Sequence, residues 1–195
     1  MTDFEPPPKQ TPPKQAPPEQ APPEQAPAEQ TPPKHAPPEH DAVARVRAAL
    51  AAAGLADGIR EFPAGTRTAA DAAAAVGVAV GRIAKSIVFR AGDDPVLVIA
   101  SGANRVSKAK VARVIGVKLA PAGADFVIAT TGFAPGGVSP FGHRDGLPIV
   151  IDRDLLQFPT IWAAAGSARH VFEIAPADLV RLAGGRVADT RQDPP

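Results

Sequence analysis

The sequence predicts an α+β fold in which a mixed, mostly antiparallel sheet is packed by helices and preceded by a disordered proline-rich tail. Three observations carry this. Short β-branched apolar runs outnumber the strands that strict βαβ alternation would supply. Two pairs of those runs are joined by turn-forming residues and read as hairpins. The first 40 residues, by contrast, hold 14 of the 24 prolines, in a five-residue repeat that runs seven times from Pro6-Pro7-Pro8-Lys9-Gln10 to Ala36-Pro37-Pro38-Glu39-His40.

Dense proline fixes φ near the polyproline II value and removes backbone donors, so residues 1–40 are excluded from helix and sheet. Beyond Met1, Phe4 is the one large apolar side chain there, too little burial to offset the entropy of ordering. An extended, solvated spacer is expected. It reads either as a ligand for a proline-recognising partner or as a low-complexity leader; the mixed Lys/Glu pattern without aromatic residues favours the leader. Residues 41–195 have the ordinary size of one domain.

Asp41 suits an N-cap for an alanine-rich helix over 42–53, with Val43, Val46 and Leu50 on one face and Gly54 as its stop. Residues 59–62 read as a short strand ending at Pro63. Thr68 and Asp71 have capping-box spacing for a helix reaching Val76 and stopped by Gly77. Residues 86–90 and 95–100 predict a hairpin turning through 91–94. Ser107 can cap a helix through Ile115, with a short strand at 117–119 and a helix over 122–130 to follow. Residues 147–151 look like a buried strand, 160–164 and 170–174 a second hairpin turning at Gly166-Ser167. Pro176 suits the first turn of a last helix, with a closing strand near 186–188.

Charge is unevenly divided. Residues 41–195 carry 18 Lys and Arg against 14 Asp and Glu, a net +4, while the tail carries 3 against 6, a net −3. The excess permits an RNA partner without being the signature of a dedicated nucleic-acid binder. The absence of cysteine excludes disulfides, thiolate metal sites and a cysteine nucleophile. The start lacks the regions of a signal peptide, and the longest apolar run, 48–56, is far short of a membrane span. The expectation is a cytoplasmic protein with no cofactor, metal or membrane partner.

Residues 131–146 form a loop long enough to need a function. It holds Gly132, Gly136, Gly137, Pro140, Gly142 and Gly146, with Phe133, Val138 and Phe141 as apolar anchors. Bare glycine N–H groups can cradle an oxyanion or phosphate; a plain connection is the other reading. Lys85, expected at a helix-to-strand junction, is either a snorkelling surface lysine or a fixed cation at a pocket mouth. His170 opens an apolar strand and is either structural or directed into a cavity. His143, in the glycine loop, is expected to be solvated, and the Asp152-Arg153-Asp154 cluster to cap a helical turn.

The run Thr131-Gly132-Phe133-Ala134-Pro135-Gly136-Gly137-Val138-Ser139-Pro140-Phe141-Gly142, followed by Leu147-Pro148-Ile149-Val150-Ile151-Asp152, resembles the YbaK proteins. These are free-standing relatives of the editing domain of prolyl-tRNA synthetases. Lys85-Ser86-Ile87-Val88-Phe89 and Arg169-His170-Val171-Phe172 are similar to further segments of that group. The resemblance spans about residues 42–191 and leaves the tail uncovered. It implies a barrel-like core and a deacylase for mischarged tRNA that needs no side-chain nucleophile. The implied catalytic set is Lys85, Gly136 and Gly137; the implied substrate-binding set is Phe133, Ser139, Pro140, Phe141, Gly142, His170 and Asn104. In this reading Lys85 holds the 3′-terminal nucleotide, the loop places backbone groups beside the ester carbonyl, and His170 shapes the amino-acid pocket. The implied partner is the acceptor end of an aminoacyl-tRNA, with a synthetase as a further candidate and no DNA. Phe133, Ala164 and Val171 stand where the cysteine-clearing branch has tyrosine or polar groups, which points toward alanyl, seryl or threonyl esters. The competing reading is a non-catalytic tRNA- or synthetase-binding module recruited through the tail.

Overall fold

The computed structural model describes residues 38–66 and 68–193. The expectations for the proline repeat fall on residues 1–37, outside the described ones. The chain enters α1 (Glu39–Ala52) three residues earlier than expected, and Asp41 lies in its first turn rather than at its cap. The Pro38 carbonyl instead accepts from the Asp41 and Ala42 N–H groups at 3.0 and 3.2 Å, while Glu39 and Asp41 place negative charge at the positive end of the helix dipole. Ala42, Val43, Val46 and Leu50 form its buried face.

Strand β1 (Arg60–Glu61) leads to α2 (Ala69–Val76), which has the expected reciprocal capping box of Thr68 and Asp71 and ends at Gly77, φ 73°. Strands β2 (Ile83–Ala91) and β3 (Asp94–Ser101) pair antiparallel along their whole length. Their turn is tighter than expected, with only Gly92 and Asp93 between the strands; Gly92 supplies φ 69°. Helix α3 (Lys108–Ile115) is capped by the Ser107 hydroxyl and stopped at Gly116. The strand expected at 117–119 forms one step later, as β4 (Ala120–Pro121), where the chain first reaches Phe89 and Arg90 of β2. Proline is tolerated there because β4 lies off the main strand order.

Helix α4 (Ala124–Thr131) is followed by the irregular glycine-rich segment and then β5 (Ile149–Asp152). The second hairpin is β6 (Ile161–Ala164) and β7 (His170–Ile174). Helix α5 (Pro176–Ala183), with Pro176 in its first turn, and β8 (Arg186–Ala188) complete the domain. Asp152 caps the 3-10 turn that follows β5, as expected, by accepting from the Asp154 N–H at 3.2 Å.

The sheet runs β1-β7-β6-β2-β3-β5-β8 with β4 paired to β2 off this path. It is mixed and mostly antiparallel, and it is open: β1 and β8 are its two ends. One face, with Ala84, Val88, Leu97, Ile99, Ile151, Ala163 and Phe172, packs against α1, α5 and the loop anchors Phe133, Val138 and Phe141. On the other face, α3 covers Val96, Val98 and Val150 through Val111, and α2 covers Ile83, Trp162 and Val171 through Ala72 and Ala73. No helix among the described residues is long and apolar enough to cross a membrane.

Gly137 and Gly166 are among the glycines that allow main chain to lie on main chain. A Cβ on Gly137 would sit 2.5 Å from the Ser167 Cα, and one on Gly166, whose φ is 93°, would sit 2.6 Å from the Ala42 carbonyl carbon. Backbone on both sides leaves nothing flexible to give way. Gly166→Ala is therefore expected to destabilise the domain by about 3 kcal/mol, from overpacking plus a disfavoured φ. Urea unfolding should show a lower midpoint with an unchanged slope.

Candidate active site

Strand β2 has β3 on one side along its length. On its other side it meets β6 at Ile83 and Ala84 and β4 at Phe89 and Arg90. Residues 85–88 lie between these contacts with no strand pairing on that edge. A cavity of about 110 Å³ opens beside this stretch. Its wall is α2 with Thr66 and Thr68, its floor includes Ile83, Lys85, Trp162, Ala164 and Val171, and Gly136 and Val138 of the glycine loop also border it. Most of the lining is alanine and valine, so the wall is largely apolar.

Lys85 is the third residue of β2, inside the strand rather than before it. Its Nζ donates to the backbone carbonyls of Asn104 at 2.6 Å and Gly102 at 3.3 Å. A fixed positive charge on the cavity floor results, held by two carbonyl dipoles. Asn104 does not border the cavity. It is buried, and its Nδ2 donates to Asp152 at 2.8 Å and Asp154 at 2.9 Å. Asp152 is fully buried and also accepts from the Ser101 N–H at 3.2 Å. Asn104 thus anchors the β3–α3 loop that holds the lysine.

The glycine loop splits into one part at the cavity and several parts beneath it. Gly136 borders the cavity with φ 83°. The Gly137 N–H is engaged with the Ala134 carbonyl at 2.9 Å, which leaves the Gly136 and Val138 amides, without a hydrogen bond among the described residues, as the loop's candidate donors. Phe133, Ser139, Pro140 and Phe141 are buried and lie away from the cavity; Phe141 packs on Phe172 with ring centroids 5.4 Å apart. Gly142 lies against the Arg45 carbonyl of α1.

Two anchors of the loop were not visible in the sequence pattern. Arg45 donates to the Gly132 carbonyl and, at 3.4 Å, to the Gly142 carbonyl, and its guanidinium lies 4.7 Å from the Phe133 ring centroid. One side chain of α1 therefore ties both ends of the segment. His143, expected in solvent, is partly buried: its Nε2 lies 2.9 Å from the Ser139 carbonyl and its ring meets Phe133 edge-on at 5.7 Å. The apolar contact that holds the loop down also covers the imidazole. Burial pushes the His143 pKa below its ordinary 6.5, against the opposing hydrogen bond to Ser139.

His170 is also outside the cavity lining. Its Nδ1 is 2.7 Å from the Ser167 Oγ and 3.4 Å from Glu39, and its Nε2 is 3.9 Å from Glu61. Arg169 bonds the same Glu39 at 3.2 and 3.3 Å. Hydrogen bonds from Ser167, chiefly, and Arg169 hold the Glu39 carboxyl below the usual range. The histidine thus belongs to a polar clasp on the β6–β7 turn, whose Ser167 backbone is what Gly137 lies upon.

A family model described as the aminoacyl-tRNA editing domain matches residues 63–182. The chain belongs to this family. The editing domain so delimited contains every residue of the cavity, while α1 and Arg45 precede it. A relative from Bacillus subtilis (strain 168), "Uncharacterized protein YwhH", is 32% identical over 130 residues, covering 66% of this chain and 83% of that protein. A second, "Putative Cys-tRNA(Pro)/Cys-tRNA(Cys) deacylase EbsC" of Enterococcus faecalis (strain ATCC 700802 / V583), is 28% identical over 124 residues, 63% and 76% of the two chains. A solved structure described as "a putative trans-editing enzyme for prolyl tRNA synthetase" shares the editing fold at TM-score 0.74 and 42% identity, covering 78% of this chain and 98% of its own.

The buried His143 has a consequence for stability. Its lowered pKa means that the unfolded chain takes up the proton more readily, so its contribution is complete above about pH 6.5 and is lost as pH falls through the lowered value. Melting temperature should drop as pH falls below about 6.5, and His143→Gln should flatten that part of the profile. An unchanged profile in the variant would assign the acid sensitivity elsewhere.

Proposed function

We propose that this chain is an aminoacyl-tRNA deacylase acting in trans, on tRNA for proline carrying a small non-cognate amino acid such as alanine, serine or threonine, with cysteine disfavoured. The observation that carries the reading is the meeting of Lys85 and Gly136 at one small, apolar-walled cavity. The family and the names of its relatives support the same chemistry.

An aminoacyl ester is already activated, so positioning and an oxyanion donor supply much of what hydrolysis needs. In this reading Lys85 meets the terminal phosphate or ribose, which presents oxygen acceptors to an ammonium group. The ester carbonyl lies against the Gly136 and Val138 amides. Water adds to that carbonyl carbon, the ester C–O bond breaks, and the proton of the water ends on the released ribose oxygen. Free amino acid and uncharged tRNA are the products. The neighbouring ribose hydroxyl, both donor and acceptor, can relay the proton.

Ala164 and Val171, two of the departures from the cysteine-clearing pattern, line the cavity, whereas Phe133 lies in the core beneath the loop. Methyl groups at the two wall positions offer a thiol no polar partner. An apolar pocket distinguishes a methylene by only about 1–3 kcal/mol, so several small amino acids should be turned over. In this scheme the catalytic domain begins near residue 41, the repeat before it is a separate tail, and the working compartment is the cytoplasm. The acceptor end is the partner, with a synthetase as the route to tRNA selection.

The test is deacylation of tRNA for proline charged separately with Ala, Ser, Thr, Cys and Pro. Turnover of small non-cognate esters with Pro spared is expected. Lys85→Ala should lower kcat/KM by about 10²-fold, and Gly136→Ala by a similar factor, through displacement of the donor amides. Full activity in Lys85→Ala would remove that residue from the mechanism. Binding of tRNA without hydrolysis of any ester would make the domain a recognition module.

A further inference from the structure

The open stretch of β2 at the cavity leaves one residue's main chain outside the sheet ladders. The Gly102 N–H donates to the Ile83 carbonyl at 2.7 Å, which fixes the phase of the antiparallel pairing with β3. By alternation, Ile83, Lys85 and Ile87 aim their N–H and C=O groups at β3, while Ala84, Ser86 and Val88 aim theirs at the opposite edge. On that edge β6 stops at Ala84 and β4 begins at Phe89. Ala84 therefore meets β6, Val88 adjoins β4, and Ser86 meets neither. Ser86 borders the cavity, and Val88 does not. Ser86 is half-buried although its hydroxyl oxygen is buried outright, so the surface it shows belongs to its main chain and Cβ. Main-chain polar groups outside a ladder are met by solvent or by a ligand.

The cavity lies where those groups point. Its lining comes from both faces of the sheet, Ile83 and Trp162 from the face under α2, Ala84 and Ala163 from the face under the glycine loop. A space bordered from both faces lies at the edge of the sheet, in the plane in which main-chain N–H and C=O groups project. Among the described lining residues there is no carboxylate, so an amino group brought here needs a neutral oxygen as its acceptor. The two threonines of the lining already use their hydroxyls. Thr66 donates to the Ala168 carbonyl at 3.0 Å, and Thr68 accepts from the Asp71 N–H at 3.1 Å. The Ser86 carbonyl is an acceptor that the ladders leave unspent. An aminoacyl ester carries a donor nitrogen and an acceptor carbonyl on either side of one Cα, the spacing of a strand residue. Opposed residues of an antiparallel pair exchange both N–H···O bonds, and chains added to open strand edges use the same pairing.

We infer that the Ser86 main chain is the subsite for the aminoacyl backbone: its C=O accepts from the substrate's α-amino group, its N–H donates to the ester carbonyl, and the aminoacyl unit adds to β2 as a one-residue strand. The inference rests on the deacylase reading of the cavity and names the part of the substrate that is held. Both bonds go to atoms that every aminoacyl ester has, so this contact is indifferent to the side chain and leaves selection to the walls. The ester carbonyl oxygen keeps a second lone pair for the Gly136 and Val138 amides.

The experiment measures the calorimetric affinity of the full-length chain for two non-hydrolysable probes, the alanyl and propionyl amides of 3′-amino-3′-deoxyadenosine, which differ only in the α-amino group. The alanyl probe is expected to bind about tenfold more tightly, the size of one hydrogen bond to a charged group. Placing the α-hydroxy acid analogue of isoleucine at position 87 turns the Ser86–Ile87 peptide into an ester, whose carbonyl is a weaker acceptor. The affinity gap should then narrow, through loss on the alanyl side alone. The analogous exchange at Phe89 removes a β3 ladder bond of the same kind and leaves the Ser86 carbonyl as it was, so the gap should persist there. Equal affinities in the unaltered chain, a gap undiminished by the exchange at position 87, or one equally diminished at position 89 would overturn the assignment. The expected pattern in a chain that hydrolyses no aminoacyl-tRNA would leave the Ser86 subsite standing and sink the deacylase reading instead. Hydrolysis of aminoacyl-tRNA by a chain that shows no gap would do the reverse.

Discussion

The site depends on main chain stacked on main chain. Gly166 lets the β6–β7 turn lie on the backbone of α1, and Gly137 lets the glycine loop lie on Ser167 of that same turn. Three segments distant in sequence are thereby fixed at separations that no Cβ would permit. Everything placed at the cavity by the loop inherits its position from this stack, with Arg45 tying the loop ends and the Ser167–His170–Glu39 clasp bracing the turn from the other side. Main-chain contacts of this kind have little slack, which suits amides that must be aimed without reorganising.

The elements were legible where their signals are local. The Thr68/Asp71 capping box, the Ser107 cap, Gly77 and Gly116 as stops, and Pro176 at a first turn all act within one helical turn, so the residues alone suffice. Signals that depend on what lies across the fold were misread or missed. Asp41 has the chemistry of a cap but lies inside α1, because the chain already turns at Pro38. The strand at 120–121 is placed by where β2 passes rather than by its own apolar content.

The site was legible in part for the same reason. Lys85 and Gly136 stood out as a lone cation in an apolar stretch and a glycine in a dense glycine run, and both reach the cavity. Gly137, Phe141, Gly142 and His170 came from the same motifs, yet they support the loop or its turn from behind. A motif marks residues that travel together in sequence without saying which of them face inward. Arg45 had no motif at all: it becomes informative only when 87 and 97 residues of separation close to hydrogen-bond distance.

The division of labour around the cavity bears on how such a protein can diversify. The groups assigned to the ester and its nucleotide include a lysine held by carbonyls and amides of a loop fixed by backbone stacking. Much of the remaining lining is short side chains on α2, β6 and β7, such as Ala69, Ala164 and Val171. Exchanging one small wall residue for another alters the shape and polarity offered to the ligand while leaving the stacked backbone untouched. Preference among substrates can then drift by single mutational steps without passing through an inactive ancestor, so a scaffold of this type is well suited to radiating into paralogues that divide a set of similar small substrates among themselves.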